Sequence, residues 1–297
     1  MDNNVSGVHC QQKLQHRVHK TVGNNKMSTL KRIFILISIV VLFGCKEKRT
    51  KQLTILGSVH FPTSEINEDS IYLAIKKVQP QVILMERDSV SFDSDFNRKV
   101  EYEENEDQAV SMFLEDKPKT VLRPIEFEGR NEYRIKQGLY PQANEVYQKL
   151  NELSRSNKFD AEESRIWSRF ANYWGMIDSL SAANLKAINN EKSDAILDSA
   201  KYYQYTKMMK IVSKHDEFSE QILDSKGDSI SLAHYFEKWE QFEHYDRNNA
   251  MVENIIRTID NLPNKRFMLI VGYHHRYYIK KALENKAPHI SIVEYYE

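Results

Sequence analysis

Apolar runs typical of buried β-strands lie near the two ends of the sequence, with long helical patterns between them. Near the front, residues 52–57 (QLTILG) and 81–86 (QVILME) enclose a capped amphipathic helix over 67–79. Near the end, residues 265–272 (KRFMLIVG) and 289–296 (HISIVEYY) enclose a second helical pattern over 276–285. Strand, helix and strand in this order predict parallel strands joined by right-handed crossovers.

We therefore predict an α/β fold, with α+β as the alternative, built around a mixed, partly parallel central sheet. Both βαβ units contribute to this one sheet, because either unit alone has too few strands to close a core. Apolar residues recur at helical spacing between the two units, which predicts a large helical insertion over about 141–260. The chain then has a single predicted domain over 52–297.

An uncharged apolar run, IFILISIVVLF (33–43), precedes this domain and follows Lys31 and Arg32. Eleven residues are too few for a membrane-spanning helix, which needs about 20, but they suit the hydrophobic core of a secretion signal. The run ends at Gly44-Cys45, which resembles the lipobox of bacterial lipoproteins. The resemblance implies cleavage before Cys45 and lipidation of that residue. A plain signal peptide or a short anchor helix is the alternative.

We predict that residues 1–45 comprise an upstream extension and a lipoprotein signal peptide, with the true start at Met27. Residues 46–51 (KEKRTK) then form a polar tether to the domain. This organisation implies a bacterial cell-envelope protein whose partner is a membrane, reached through the lipid anchor. The residue directly after Cys45 is Lys46 rather than an acid, and this favours the outer membrane.

Charge and cysteine content restrict the function classes that are open to the domain. The first 45 residues hold six of the 42 Lys and Arg but one of the 42 Asp and Glu, so the remainder has a net charge of −5. A mildly acidic domain without a basic run has no electrostatic footprint for nucleic acid. Both cysteines, Cys10 and Cys45, precede the domain, which excludes a disulfide, a zinc–thiolate site and a cysteine nucleophile within it.

Two G-x-x-H motifs follow the first strand and the strongest strand of the predicted sheet. They are Gly57-Ser58-Val59-His60 and Gly272-Tyr273-His274-His275, and Glu86 ends the second strand. In open α/β sheets, ligands bind just outside the carboxyl ends of the strands. The pattern predicts that two imidazoles and a carboxylate share one rim of the sheet, although a histidine after a strand is often only a packing or capping residue.

The strand–GSVH–helix–strand–ME opening, a late helix containing Arg-Asn and the closing strand–GYHH–helix resemble the TraB/Tiki superfamily. This superfamily includes the PrgY and GumN branches, the erythromycin-esterase branch and the haem-binding ChaN branch. The residues that characterise the superfamily correspond here to His60, Glu86, Arg247 and His275. Arg130 within EGRNEYR is a weaker candidate, as a substrate or haem contact. The resemblance covers about 52–100 and 240–297, and leaves the middle helices unmatched.

The resemblance implies a metal-dependent hydrolase, either a peptidase or an esterase. His60, His275 and Glu86 would bind Mn²⁺, Co²⁺ or Zn²⁺ and leave a position for water, whose pKa the metal lowers. Arg247 would hold a substrate carboxylate or stabilise the oxyanion. Glu86 is alternatively the general base of a metal-free esterase, or simply the ion-pair partner of Arg247.

Two further functions remain open at this point. The ChaN branch implies a haem- or metal-binding uptake lipoprotein, for which Tyr273 and His274 are the candidate haem contacts within GYHHRYY. The other is a scaffold lipoprotein without catalysis. The substrate in the hydrolase reading is a peptide or a small molecule, and the sequence does not specify which.

Overall fold

A parallel sheet of five strands forms the centre of this protein, for which a computed structural model describes residues 51–139 and 143–297. The strand order is β3-β2-β6-β1-β7, and every pairing in this sheet is parallel. A separate antiparallel pair, β4-β5, lies in the insertion. The strands are β1 (Lys51–Ser58), β2 (Val82–Met85), β3 (Val121–Pro124), β4 (Gln221–Leu223), β5 (Ser229–Ser231), β6 (Arg266–Gly272) and β7 (Ile290–Val293).

Helices surround the sheet and make up most of the insertion. Two of them are widened by π-helical turns, at Tyr202–Lys207 and Gln241–Asp246. The α-helices are α1 (Glu68–Val78), α2 (Asn105–Asp116), α3 (Arg130–Gln137), α4 (Ala143–Arg155), α5 (Ala161–Ser181), α6 (Glu191–Lys201), α7 (Met208–Val212), α8 (Leu232–Glu240), α9 (Arg247–Asn261) and α10 (Tyr273–Lys286).

Alternate residues of the central strands point to opposite faces of the sheet, and both faces are buried. One face packs on α1, α2 and part of the insertion through Leu56, Ile83, Met85, Met268 and Ile270. The other face packs on α9 and α10 through Leu53, Ile55, Val82, Leu84, Phe267, Leu269 and Val271. Burial on both faces explains why these strands are continuous apolar runs in the sequence rather than alternating ones.

The predicted α/β fold class is confirmed.

The strands of the two βαβ units are interleaved, because β6 from the C-terminal unit lies between β1 and β2 of the N-terminal unit. The connection after β1 passes over β6, whereas the connection after β6 passes over β1 in the opposite direction. A crevice at the carboxyl ends of such adjacent strands is where open α/β sheets bind ligands.

Local sequence signals account for the first crossover helix. Asn67 caps α1 by accepting from the Ser70 N–H, while the Ser70 side chain accepts from the Asn67 N–H. The helix ends at Gln79, whose φ of 51° lies in the left-handed region, just before Pro80. The last crossover helix begins earlier than predicted, at Tyr273, so His274 and His275 lie in its first turn.

The insertion has a core of its own. Apolar residues from α4, α7 and α8 meet there, among them Val146, Leu150, Met208 and Phe236. The predicted signal peptide, the tether and Cys45 lie outside the described residues. Across 51–139 and 143–297, no helix combines the length and the apolarity that crossing a bilayer requires.

Candidate functional site

The carboxyl ends of β1, β2 and β6 open into a cavity of about 610 Å³. His60 follows β1, Glu86 follows β2, and His275 lies in the helical turn that follows β6. Arg247 completes this wall from the start of α9. Segments about 200 residues apart thus bring the four predicted residues into one cavity, which lies within the size range of small-molecule sites.

Arg247 is the centre of a buried ion-pair network. Its Nε donates to Glu126 Oε1 at 3.0 Å, and its Nη2 donates to Glu126 Oε2 at 2.5 Å and to Glu86 Oε1 at 2.6 Å. Its Nη1 lies 3.2 Å from His275 Nε2 and 3.5 Å from Glu243 Oε2. A guanidinium has five N–H donors, and hydrogen bonds to Glu126, Glu86 and His275 use four of them, while Nη1 also forms the ion pair with Glu243.

These charges stabilise one another. Burial opposes ionisation of both Glu126 and Glu86, but Arg247 outweighs it and holds the pKa of each carboxyl below its ordinary value. Burial would lower the pKa of Arg247, yet its hydrogen bonds to Glu126 and the nearby acidic charges raise it. The guanidinium and its carboxylates therefore stay charged at neutral pH, and most of the Arg247 donors are already used within the protein.

The hydrogen bonds of His275 fix its tautomer. Arg247 can only donate, so His275 Nε2 accepts, and Nδ1 donates to Asn248 Oδ1 at 2.7 Å. The Asn248 amide nitrogen donates to the carbonyls of Glu243 and His244, which fixes the direction of its oxygen. Burial and then the charge of Arg247 lower the pKa of His275 well below its ordinary value. His275 is thus a neutral acceptor that positions Arg247.

Gly272 separates the two remaining groups of the site. Its N–H donates to Glu86 Oε2 at 2.7 Å. A Cβ on Gly272 would stand 3.3 Å from Glu86 Oε2 and 3.3 Å from His60 Nε2. The carboxylate and the imidazole therefore face the same small space, and the missing side chain of Gly272 keeps that space open.

His60 pairs with an acid that we did not predict. Its Nδ1 lies 3.0 Å from Glu106 Oε1 in helix α2, and Ser58 Oγ donates to the same carboxylate oxygen. Glu106 is 8% exposed at its side chain, whereas the His60 side chain is 43% exposed. The Glu106 carboxylate lies within ion-pair distance of Nδ1, although the two are not aligned for a hydrogen bond, and Nε2 faces the cavity beside Gly272. A base oriented by a buried carboxylate is typical of hydrolytic sites.

We expect the pKa of His60 to lie above the ordinary value of about 6.5. The close contact with Glu106 is the largest cause, burial opposes it, and the charges of Glu106 and Glu86 add to the rise. Replacing Glu106 with Gln removes that carboxylate and lowers the pKa of His60. NMR titration of the imidazole in the parent and in Glu106→Gln measures both values.

The same shift predicts a pH dependence of stability. The pKa of His60 is higher in the folded than in the unfolded chain, so the contribution is present below about pH 6.5 and is lost as pH rises through the folded pKa. The exposed His289, paired with Asp260, is the control imidazole. An unchanged His60 titration curve in Glu106→Gln would contradict this account.

A divalent metal held by His60, His275 and Glu86 does not fit this arrangement. Arg247 already occupies the His275 Nε2 lone pair, and Arg247 and the Gly272 N–H occupy the two Glu86 oxygens. Within the described ranges, no group of three or more His, Cys, Asp or Glu is arranged to hold a metal ion. The metal remains a prediction from the resemblance, and we derive no step through it.

Three other predicted residues line the same cavity, namely Tyr273, His274 and Arg130. His274 makes no hydrogen bond to the described part of the chain, and burial together with the charge of Lys201 lowers its pKa to about 2. Burial raises the pKa of the Tyr273 hydroxyl to about 12. Cys45 is outside the described residues.

Several residues that shape the site are not predicted by the sequence patterns. Glu126 follows β3 as Glu86 follows β2, so the rule that placed Glu86 also applies to it. Glu106 carries no local signal, since its role depends on how α2 packs over the end of β1. The π-helical turn Gln241–Asp246 that leads into Arg247 is also unmarked in the sequence, although such turns are frequent at functional sites.

Comparison of the chain with protein-family models, with curated proteins and with solved structures finds no match. The resemblance to the TraB/Tiki superfamily therefore rests on the motifs in the sequence. The arguments about function rest on the geometry of the cavity.

Proposed function

We propose that this protein is a hydrolase of ester or related acyl bonds, in which His60 is the general base. The observation that carries the proposal is the His60–Glu106 pair at the wall of a 610 Å³ cavity, with Nε2 free of any hydrogen bond in the described part of the chain. A raised pKa for His60 suits this role, because a general base works best when its pKa is near the working pH.

The proposed reaction uses water as the nucleophile. His60 Nε2 removes a proton from water as the oxygen attacks the acyl carbon, and the Glu106 carboxylate stabilises the imidazolium that forms. The tetrahedral intermediate then expels the leaving group, which receives that proton from His60. Ser58 is a poor candidate nucleophile, since it is fully buried and its hydroxyl donates to Glu106.

The ion-pair network of Arg247, behind the cavity, has a structural rather than a catalytic role in this proposal. Arg247, Glu86 and His275 hold the ends of β2 and β6 and the start of α9 together, so that the cavity keeps its shape. Arg247 therefore acts as a positioning residue, not as the group that binds a substrate carboxylate. The haem-binding alternative stays a prediction from the resemblance.

The membrane location also stays part of the proposal. Lipidation at Cys45 would place the hydrolase in the bacterial envelope, with the outer membrane as the expected site, where it would meet peptide or small-molecule substrates. Nothing in the domain's mildly acidic charge favours nucleic acid as a partner.

The test is hydrolysis of a panel of p-nitrophenyl esters and p-nitroanilides by the full chain. We expect ester turnover whose kcat/KM falls by about 10²–10⁴-fold in His60→Gln, the usual contribution of a general base. His289→Gln, a change at an exposed and remote histidine, should leave the rate unchanged. Turnover that is abolished by EDTA would instead favour the metal-dependent alternative, and no turnover of any substrate would favour the scaffold.

A further inference from the structure

The arginines of the cavity differ in how many of their donors are already used. Arg247 uses four of its five N–H donors in hydrogen bonds within the protein, and Arg87 contacts the carboxylates of Glu104 and Asp107. Arg130 makes one contact to the described part of the chain, from Nη1 to Glu126 Oε2 at 3.0 Å. Its Nε and Nη2 therefore remain available, and its side chain is 31% exposed.

The carboxylates around Arg130 are shared with other arginines. Both glutamates that line the cavity, Glu86 and Glu104, pair with other arginines. Glu126, the partner of Arg130, also accepts from Arg247 with both of its oxygens. Arg130 therefore keeps donors that no carboxylate of the described residues occupies.

We propose that Arg130 forms an anion-binding subsite, so that the substrate of the proposed hydrolase carries a carboxylate or a similar anionic group. The inference rests on the proposed function for the reaction, whereas the subsite itself rests on the free donors of Arg130. A planar guanidinium with two adjacent N–H groups binds a carboxylate in a bidentate manner. His60 lines the same cavity, so one small molecule contacts both groups.

The rest of the wall suits the other part of such a substrate. Val59, Phe61 and Tyr273 present apolar surface to the cavity, and Phe61 is 77% exposed at its mouth. An exposed aromatic ring beside the proposed base offers a contact for an apolar leaving group. The expected substrate is therefore an ester with an anionic acyl part and an apolar leaving group.

A matched pair of substrates isolates the contribution of the anion. Mono-p-nitrophenyl succinate carries a carboxylate, and p-nitrophenyl 4-methylpentanoate replaces it with two methyl groups of similar shape. We expect Arg130→Gln to raise KM for the succinate ester by roughly 10- to 100-fold, because the variant loses hydrogen bonds to a charged group. KM for the neutral ester should change by less than about 3-fold, and Arg130→Lys should lie between parent and Arg130→Gln.

Arg134→Gln is the matched control. Arg134 lies one turn further along α3, pairs with Glu243, and does not line the cavity. Because Glu243 also contacts Arg247, this variant disturbs the network by the same indirect route as Arg130→Gln. We expect it to change both esters equally.

Binding of free succinate, measured by calorimetry, gives a readout that does not require turnover. We expect affinity to fall about 10-fold or more in Arg130→Gln and to persist in Arg134→Gln. Succinate binding that depends on Arg130 without turnover of either ester would support the subsite and contradict the hydrolase. Turnover with equal losses for both esters in Arg130→Gln, or succinate affinity unchanged by it, would overturn the subsite.

Discussion

Replacing Arg247 with Met is expected to lower the free energy of unfolding by about 3–5 kcal/mol, the usual cost of removing one partner from a buried ion pair. The substitution removes the cation that Glu126, Glu86 and Glu243 share; Glu126 keeps Arg130 and Glu243 keeps Arg134, but Glu86 loses its arginine partner. Each carboxylate is at most 10% exposed, so water compensates poorly for the lost charge. Urea denaturation at pH 7 followed by circular dichroism measures the loss.

Two variants test whether the loss arises from the stranded carboxylates. Arg257 lies on the same helix α9 but is exposed, and within the described residues it donates a hydrogen bond to Asn254. Arg257→Met should therefore change the free energy of unfolding by no more than about 0.5 kcal/mol. Adding Glu126→Gln to Arg247→Met removes one buried charge and should recover part of the stability. Equal losses in Arg247→Met and Arg257→Met would contradict the network described here.

The strands were predictable because their side chains obey a local rule. A strand that is buried on both faces is an apolar run, and β2, β6 and most of β1 appear as such runs in the sequence, whereas the edge strand β3 includes Arg123 and Pro124. The helix boundaries were less accurate where no cap marks them. Gly272 is followed at once by helix, without a side-chain cap, so the predicted helix began three residues late.

The order of the strands was not predictable in the same way. The sequence indicates two βαβ units, but it does not indicate that β6 separates β1 from β2. That arrangement depends on packing between segments about 200 residues apart, which no short pattern encodes. The consequence is functional, since it places His60 next to the end of β6 and Glu86 on its other side.

The first glycine of each G-x-x-H motif has a different structural role. The motif therefore predicts where each glycine lies but not what the absence of its side chain achieves. A Cβ on Gly57 would stand 2.9 Å from Tyr273 Cβ and 3.0 Å from Tyr273 Cα, so this glycine allows β1 and α10 to pack closely. A Cβ on Gly272 would instead meet His60 and Glu86 at 3.3 Å. Identical residues at identical motif positions thus serve packing in one case and an open site in the other.

The spacing of the motifs in the sequence also does not predict the chemical role of each site residue. The sequence placed His60, Glu86, Arg247 and His275 at one rim, and the structure brings them together there. It does not follow that they act as ligands of one ion, because three of them bond to one another. The distinction depends on Glu126 and on the tautomer of His275, neither of which a motif encodes.

A second buried arginine, one residue after the motif histidine, is expected to be as important for stability as Arg247. Arg276 is completely buried, and its guanidinium contacts Asp194 and both oxygens of Glu294, the latter at 2.7 Å. Its Nε donates to the carbonyl of Ile55 in β1 at 3.3 Å. One side chain thereby connects α10 to the first strand, to the insertion and to the C-terminal segment.

Arg276→Met should therefore cost about 3–5 kcal/mol at pH 7. Burial already raises the pKa of Asp194 despite the charge of Arg276, and loss of that charge raises it further. Protonation then relieves the folded variant, whose deficit relative to the parent should shrink as pH falls from 8 to 5. Urea denaturation across this pH range measures the trend.

Lys280→Met is the matched control for Arg276→Met, because Lys280 Nζ lies 3.0 Å from the same Glu294 carboxylate but its side chain is 17% exposed. Water replaces the lost lysine more easily than the fully buried guanidinium, so a loss of about 1 kcal/mol or less is expected. A loss in Arg276→Met that does not change with pH would mean that stranded carboxylates are not its cause. Equal losses in the two variants would show that burial of Arg276 adds nothing to the pairing.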